Sequence, residues 1–177
     1  HHRRQMGRDR LHQPEEIVRV SVPLRRAYKL INHGPTTLIT SAAGGRRNVM
    51  TAAWVMAIDF DPAKIVAVIA ADTFTRELVE ASGEFVVNVP TARMIDAVYA
   101  AGQVSGEDVD KLATLALATS PASIVGAPLL EGCAAWLECK VVPEPHMQDS
   151  YDLFVGDVVA AWADDASFVE GGGRFPR

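Results

Sequence analysis

The chain has 177 residues, of which 49% are hydrophobic and 22% charged, and its formal net charge is −5. This length suits one domain with a hydrophobic core, and the composition excludes intrinsic disorder. The apolar runs are too short to cross a bilayer and no signal-peptide pattern appears, so we expect a cytoplasmic protein with no membrane partner.

Positive charge is concentrated in a basic N-terminal arm, residues 1–26, and the rest of the chain is acidic. The arm has no aromatic residues interleaved with its arginines, so we predict no nucleic-acid partner. Its first residues, "HHRRQM", resemble the remnant of an expression tag, and Met6 is a candidate natural start. We expect residues 27–177 to form a single domain.

A β-hairpin is predicted near the start of this domain. The segment "TTLITSA" from Thr36 is rich in β-branched and apolar residues, and the Gly-Gly turn of "AGGRR" leads into "NVMTAAWVMAIDFDP" from Asn48 to Pro62. The apolar spacing between Asn48 and Phe60 also fits a helix. The Gly-Gly turn favours a strand.

The two faces of that second strand differ in side-chain size, since alternate residues point to opposite sides. The face that includes Asn48, Trp54 and Phe60 is bulky, and we predict that it faces the core. The other face, centred on Thr51 and Ala53, is small. A small face would let a flat ligand approach the backbone, and it would equally suit a helix packed against the sheet.

The remaining segments alternate irregularly between strands and helices. We predict strands in "KIVAVIAA", "EFVVNVP", "CAAWLECKVV" and "YDLFVGDVVAAWAD", and helices in "TRELVEASG", "TARMIDAVYAAG" and "KLATLALA". This order is not regular βαβ alternation, and no glycine-rich nucleotide motif occurs, which disfavours a doubly wound fold. The prediction is a mainly β fold with inserted helices, an antiparallel, Greek-key-like barrel.

A candidate anion site lies in "AVIAADTFTRELV", where a strand ends and a helix begins. Helix N-termini present unpaired N–H groups, and Thr73 and Thr75 add hydroxyls. Arg76 could bind a phosphate or lie in solvent. Plain helix capping by Asp72, Thr73 or Thr75 is the alternative interpretation.

Cysteines and histidines do not indicate a metal site. Cys133 and Cys139 lie six positions apart on a predicted strand, so we expect them to share one face as small core hydrophobes. The five histidines show no metal-ligand spacing. We therefore predict no metal, and no catalytic residue can be named from residue order.

Five segments, in their order along the chain, resemble the flavin reductase-like, FMN-binding split-barrel family, which includes flavoredoxin-type proteins. They are "AYKLINHGPTTLITSA", "NVMTAAW", "DTFTRELVEASGEFVVNVP", "GEDVDKLA" and "YDLFVGDVVAA". The resemblance implies an FMN-binding split β-barrel that is a homodimer, binds FMN non-covalently near the dimer interface and accepts hydride from NADH or NADPH.

The resemblance also implies where the cofactor binds. The family's N-V-M-T-A-S-W motif falls on the stretch that starts at Asn48, with Ala53 where many relatives carry Ser, and its polar turn falls on the stretch that ends at Arg76. The implied cofactor-binding residues are Asn48, Val49, Met50, Thr51, Ala52, Ala53, Trp54, Asp72, Thr73, Phe74, Thr75 and Arg76.

The favoured function is an NAD(P)H-dependent FMN reductase, because a flavin performs the redox chemistry and requires few acid–base residues from the protein. One alternative is an FMN-binding electron carrier that serves a partner and has no nicotinamide site of its own. Another is a barrel that binds no flavin and acts as an interaction module. The electron acceptor stays open among free flavin, ferric iron and a partner monooxygenase.

Overall fold

The computed structural model describes residues 35–164, so the basic arm lies outside the described residues. The first half contains β1 (Thr37–Ala43), β2 (Arg46–Ala52), β3 (Val55–Phe60), β4 (Ala63–Val68), α1 (Phe74–Ser82) and β5 (Glu84–Pro90). A 3₁₀ turn (Ala92–Met94) follows, and then come α2 (Ile95–Ala101), α3 (Lys111–Thr114), β6 (Thr119–Ser120), β7 (Leu129–Leu130), β8 (Cys133–Val142), α4 (Pro145–Tyr151) and β9 (Leu153–Ala163). Within the described residues, no helix is long and apolar enough to cross a membrane.

One antiparallel sheet of seven strands, in the order β2-β1-β5-β8-β9-β4-β3, dominates the fold. Its two edge strands, β2 and β3, are consecutive in the chain and are joined only by Ala53 and Trp54. So short a link keeps Ala52 and Val55 within about 11 Å of each other. The sheet must therefore curl into a barrel, with a seam between β2 and β3 that no strand pairing within residues 35–164 closes, as predicted for a split barrel.

The barrel interior is the larger apolar cluster. It includes Ile39, Phe85, Val87, Cys139 and Phe154, all of them nearly inaccessible to solvent. Helix α1 packs on β1 and β2 and contributes Val79 to the same cluster. Its end is set by Gly83, which adopts a left-handed conformation (φ 70°) that suits glycine.

The outer face of the sheet is covered only in part. Leu38 and Val49 pack there against residues of α2 and α3, in a second cluster that includes Ala101 and Leu112. A third cluster forms around Val86 and the segment between β6 and β7.

The predicted strand from Asn48 to Pro62 is two strands, because the chain turns across the seam at Ala53 and Trp54. The prediction of a bulky core face is confirmed in β2, where Met50 and Ala52 pack in the interior cluster. Beyond the turn it was wrong: Trp54, Met56 and Ile58 are 50%, 62% and 47% exposed. On the opposite parity, Val49 is fully buried beneath helices. At that position the helix-covered interpretation of the small face is confirmed.

The two cysteines are buried, as predicted, but they do not share a face. Cys139 belongs to the interior cluster and Cys133 to the cluster beneath α2 and α3. The pairing of β5 with β8 shifts between Val89 and Pro90, and such a bulge reverses the alternation of side chains. Burial, with nearby carboxylates, raises the pKa of both thiols to about 12.

Other elements differ in extent from the predictions. The segment "TARMIDAVYAAG" splits into a 3₁₀ turn and α2, and the predicted helix in "KLATLALA" is only the four-residue α3. Helix α4, which begins with Pro145, was not predicted, and neither were the two-residue strands β6 and β7. Elements this short give no periodic signal in a sequence.

A buried carboxylate fastens the segment between β6 and β7 to the sheet. Glu138 of β8 is fully inaccessible to solvent and accepts hydrogen bonds from the backbone N–H groups of Ser123, Ile124 and Val125 and from the indole of Trp162. Burial alone would raise the pKa of Glu138, but these hydrogen bonds outweigh it and lower the pKa to about 2.

We predict that Glu138→Gln lowers the free energy of unfolding at neutral pH by up to about 3 kcal/mol, because the folded state then loses its preference for the ionised carboxylate. The folded-state pKa lies below the unfolded value, so the stabilisation is complete above the unfolded pKa of about 4.5 and is lost as the pH falls toward 2. Urea titrations of both proteins across this range would measure the difference. A difference that did not change with pH would contradict the assignment.

Candidate functional site

Three separate segments meet at Asn48, a buried residue of β2 that is 3% exposed. Its Nδ2 donates to the Thr75 hydroxyl of α1 at 2.9 Å. Its Oδ1 is buried and has no hydrogen-bond partner among the described residues. A buried carbonyl oxygen without a donor is costly, so this atom is a natural acceptor for a ligand hydroxyl or a water.

The loop between α2 and α3 closes over this atom. A side chain at Gly106 would place its Cβ 2.0 Å from Asn48 Oδ1, so only glycine allows the approach. The loop is fixed at its far end by Lys111, whose Nζ donates to the carbonyl of Ala101 at 2.8 Å. Burial lowers the pKa of Lys111.

The N-terminus of α1 lies beside Asn48. Thr73 is the N-cap, and its hydroxyl accepts from the N–H of Arg76 at 3.2 Å and donates to the carbonyl of Ala70 at 2.8 Å. Capping by Thr73 is therefore confirmed. The N–H groups of Phe74 and Thr75 have no partner within the helix, as at any helix N-terminus.

A cation flanks the same helix end. Arg46, at the start of β2, lies over the Phe74 ring with 5.1 Å between its guanidinium carbon and the ring centroid, and it forms an exposed ion pair with Glu77. Asp72 is exposed at the turn before the helix. Arg46, Asn48 and Thr75 thus surround one end of α1.

Arg76 is neither a free phosphate ligand nor a solvent-exposed residue, the two alternatives that the sequence left open. It is 6% exposed, it pairs with Glu80, and its guanidinium donates at 3.1 Å to the carbonyl of Ile69 and to Asp152 and at 3.2 Å to the carbonyl of Gln148. It also stacks over Phe154 at 4.6 Å. Its donors are directed to the protein, so Arg76 fixes α1 against α4 and β9.

The other predicted residues line β2 and the seam. The Thr51 hydroxyl donates to the carbonyl of Val98 in α2, so its side chain faces the helix and not an open groove. Met50 packs against the interior cluster, and Ala52 is one of its buried members. Ala53 and half-exposed Trp54 form the link across the seam.

Sequence reasoning missed two residues of this site. Arg46 was assigned only to a turn, although a basic pair directly after a Gly-Gly turn was visible. Gly106 lies in a polar loop far along the chain, and nothing local indicated its contact with Asn48. No group of three or more metal-ligating side chains occurs among residues 35–164.

The split seam and the polar cluster at α1 define a class of protein, the FMN-binding split barrels. Residues 31–172 match the flavin reductase like domain. The chain belongs to this family.

Comparisons with individual proteins agree. The chain is 40% identical over 159 residues to the uncharacterized protein YddH of Escherichia coli, covering 88% of this chain and 84% of that one. It is similar to the structure of an FMN-binding domain of a flavin reductases-like enzyme from Shewanella baltica, with 41% identity, a TM-score of 0.77 and coverage of 88% and 82%. Flavoredoxin of Desulfovibrio vulgaris gives 25% identity, a TM-score of 0.72 and coverage of 81% and 76%.

The described residues fit FMN at this site. The unpartnered Oδ1 of Asn48 can accept from a ribityl hydroxyl, and the N-terminus of α1 together with Arg46 can bind a phosphate. A side chain at Gly106 would collide with Asn48, so glycine is what lets the loop lie against this residue. Arg76 is excluded from the set because its donors are engaged elsewhere.

We predict that Arg76→Met lowers the free energy of unfolding by about 2 kcal/mol, because the substitution leaves the carbonyls of Ile69 and Gln148 without their donor and removes the pairs with the partly exposed carboxylates of Glu80 and Asp152. Denaturant unfolding would measure the change. Arg93 is exposed in the 3₁₀ turn, so Arg93→Met serves as the control and should change stability by less than about 0.5 kcal/mol. Equal effects of the two substitutions would exclude the structural role.

Proposed function

We propose that the protein is an FMN-dependent oxidoreductase that takes hydride from NADH or NADPH. The observation that carries the proposal is the unpartnered, buried Oδ1 of Asn48 beside the N-terminus of α1, in a chain whose family has an FMN-binding fold. Bound FMN would supply the hydride-accepting chemistry itself. The protein supplies binding, orientation and a local field.

The phosphate end of FMN is assigned to α1. Two unpaired N–H groups, at Phe74 and Thr75, and the positive end of the helix dipole favour a dianion there. Arg46 adds a full positive charge at the surface, where Glu77 is its present partner. A phosphate would compete with Glu77 for this guanidinium.

The ring end is assigned to the seam. No strand among residues 35–164 pairs with the outer edge of β2, so its backbone N–H and C=O groups can bind a flat polar ligand. From Asn48 to Ala53 the strand advances about 17 Å, which is comparable with the length of extended FMN. Ala53 offers no hydroxyl, so the contacts of the ring at this position come from the backbone.

The proposal includes a homodimer. Trp54 in the link and Met56 and Ile58 of β3 are exposed next to the seam, and adjacent apolar residues of this size suit burial against a second subunit. A second copy seated there would cover the open side of the bound ring. FMN binding and dimerisation would then stabilise each other.

The second candidate is an FMN electron carrier without a nicotinamide site. It is favoured by the likeness to flavoredoxin of Desulfovibrio vulgaris, which has 25% identity and a TM-score of 0.72. For both candidates the electron acceptor is free flavin, ferric iron or a monooxygenase.

We predict that purified protein loaded with FMN, with excess removed, loses its visible flavin absorbance when NADH or NADPH is added without air. Free FMN at the same concentration, without protein, is the control and should bleach far more slowly. Retained colour that only dithionite bleaches would favour the electron carrier. Protein that retains no flavin would contradict both candidates.

We predict that Arg46→Met weakens FMN binding about tenfold, since one charge-assisted hydrogen bond to the phosphate is lost, and leaves riboflavin binding unchanged. Fluorescence quenching titrations of both flavins would measure this. The matched control is Arg47→Met, because Arg47 points to the opposite face of β2 and should leave both affinities within about twofold. Equal losses for FMN and riboflavin would refute the phosphate assignment.

A further inference from the structure

We propose that the outer face of the barrel carries a second binding site, for a small carboxylate with a compact apolar body. The site is an open pocket of about 400 Å³ between the β1–β2 hairpin and the segment that joins β6 to β7. This volume is at the lower end of the range for small-molecule sites, about 300–1,000 Å³. The proposal does not depend on FMN.

The pocket is separate from the proposed flavin site. Successive residues of β2 point to opposite faces. Arg46 and Asn48 contact α1 on one side, whereas Arg47, between them, reaches the other side and lies 3.4 Å from the Thr119 hydroxyl. One edge strand thus separates the two sites.

The walls of the pocket are largely apolar. Five side chains without polar atoms supply them: Ala42, Pro121, Ala122, Val125 and Pro128. Val125 and Ala122 belong to the apolar cluster around Val86. A strongly hydrated inorganic ion would gain little from such walls, whereas a ring or branched chain would bury its surface against them.

Arg47 supplies the charge that selects a carboxylate. Among residues 35–164 it forms no ion pair, although Arg46 beside it is paired with Glu77. Glu84 accepts from the N–H of Gly126 and Glu138 from the N–H groups of Ser123 to Val125, on the wall of the pocket, and neither carboxylate pairs with Arg47. A guanidinium with free donors binds a carboxylate with two parallel hydrogen bonds.

The pocket is preformed because the segment between β6 and β7, which forms one of its walls, is hydrogen-bonded to the sheet. Glu138 and Glu84 hold the backbone of this segment from Ser123 to Gly126, and the Thr40 hydroxyl donates to the carbonyl of Pro128 at 2.6 Å. A ligand therefore does not have to order the segment when it binds. Rigid walls lower the entropic cost of binding.

The experiment is calorimetric titration of the FMN-free full chain with benzoate and with cyclohexanecarboxylate. We expect saturable binding of one molecule per chain, and binding of benzamide, the uncharged analogue of benzoate, that is at least about tenfold weaker. Arg47→Met should weaken benzoate binding about tenfold, whereas Arg46→Met should leave it unchanged. Inorganic phosphate should not displace benzoate.

A second variant tests the pocket without changing its charge. Ala42→Leu should abolish benzoate binding by filling the pocket, with unchanged thermal unfolding as the check on folding. Absence of saturable binding, equal affinities for benzoate and benzamide, displacement by phosphate, or an unaffected Arg47→Met variant would each overturn the proposal. We expect FMN binding to depend on Arg46 and benzoate binding to depend on Arg47. The two proposals can therefore fail independently, and the two variants tell their failures apart.

Discussion

The link of two residues between β2 and β3 is the constraint on which the rest of the structure depends. These strands occupy opposite edges of a seven-stranded sheet, and Ala53 and Trp54 are too few to let the edges separate. The sheet must close on itself, which creates an interior for Phe85 and Phe154 and leaves one unpaired seam. The same constraint that produces the core thus produces the only long backbone edge beside the polar cluster in the described residues.

Asn48 differs from the other buried polar residues of the fold in how completely its side chain is hydrogen-bonded. Arg76 and Glu138 are buried and have several partners each, which makes them rigid parts of the fold. Asn48 is equally buried, yet it satisfies its amide nitrogen and not its oxygen. The bonded charges of Arg76 and Glu138 hold secondary-structure elements together. The partly bonded amide of Asn48 instead leaves an acceptor for a ligand or a water.

Much of the fold could be predicted from the sequence because its strong signals are local. The Gly-Gly turn, the Thr73 cap and the Gly83 stop each act within a few residues, and α1, β1, β4 and β5 lie where they were expected. The predictions failed where the outcome depended on distant contacts. The segment from Asn48 to Pro62 has the pattern of one strand, but closure of the barrel divides it at Ala53. A bulge opposite Pro90 decides which side of the sheet Cys133 faces.

In the candidate site, too, the residues indicated by local patterns could be predicted and those that depend on distant contacts could not. Asn48 and the N-terminus of α1 could be predicted because a family motif and a helix boundary indicate them. The contact of Gly106 with Asn48 joins residues more than fifty positions apart, and no local pattern indicates it. Arg76 was assigned to the cofactor, but two of its partners, Gln148 and Asp152, lie in α4 and at its end, an element that the sequence did not reveal. Side-chain roles that depend on unpredicted elements cannot be derived from spacing.

The burial of both thiols bears on how an FMN-binding fold tolerates the reactivity of a reduced flavin. Reduced flavins pass electrons to dioxygen and release peroxide, which attacks thiolates much faster than thiols. With pKa values of about 12, Cys133 and Cys139 are protonated at neutral pH, and both are enclosed by apolar neighbours in separate clusters. Both cysteines of the described residues are therefore held in a form that resists oxidation by peroxide, and they lie in separate clusters.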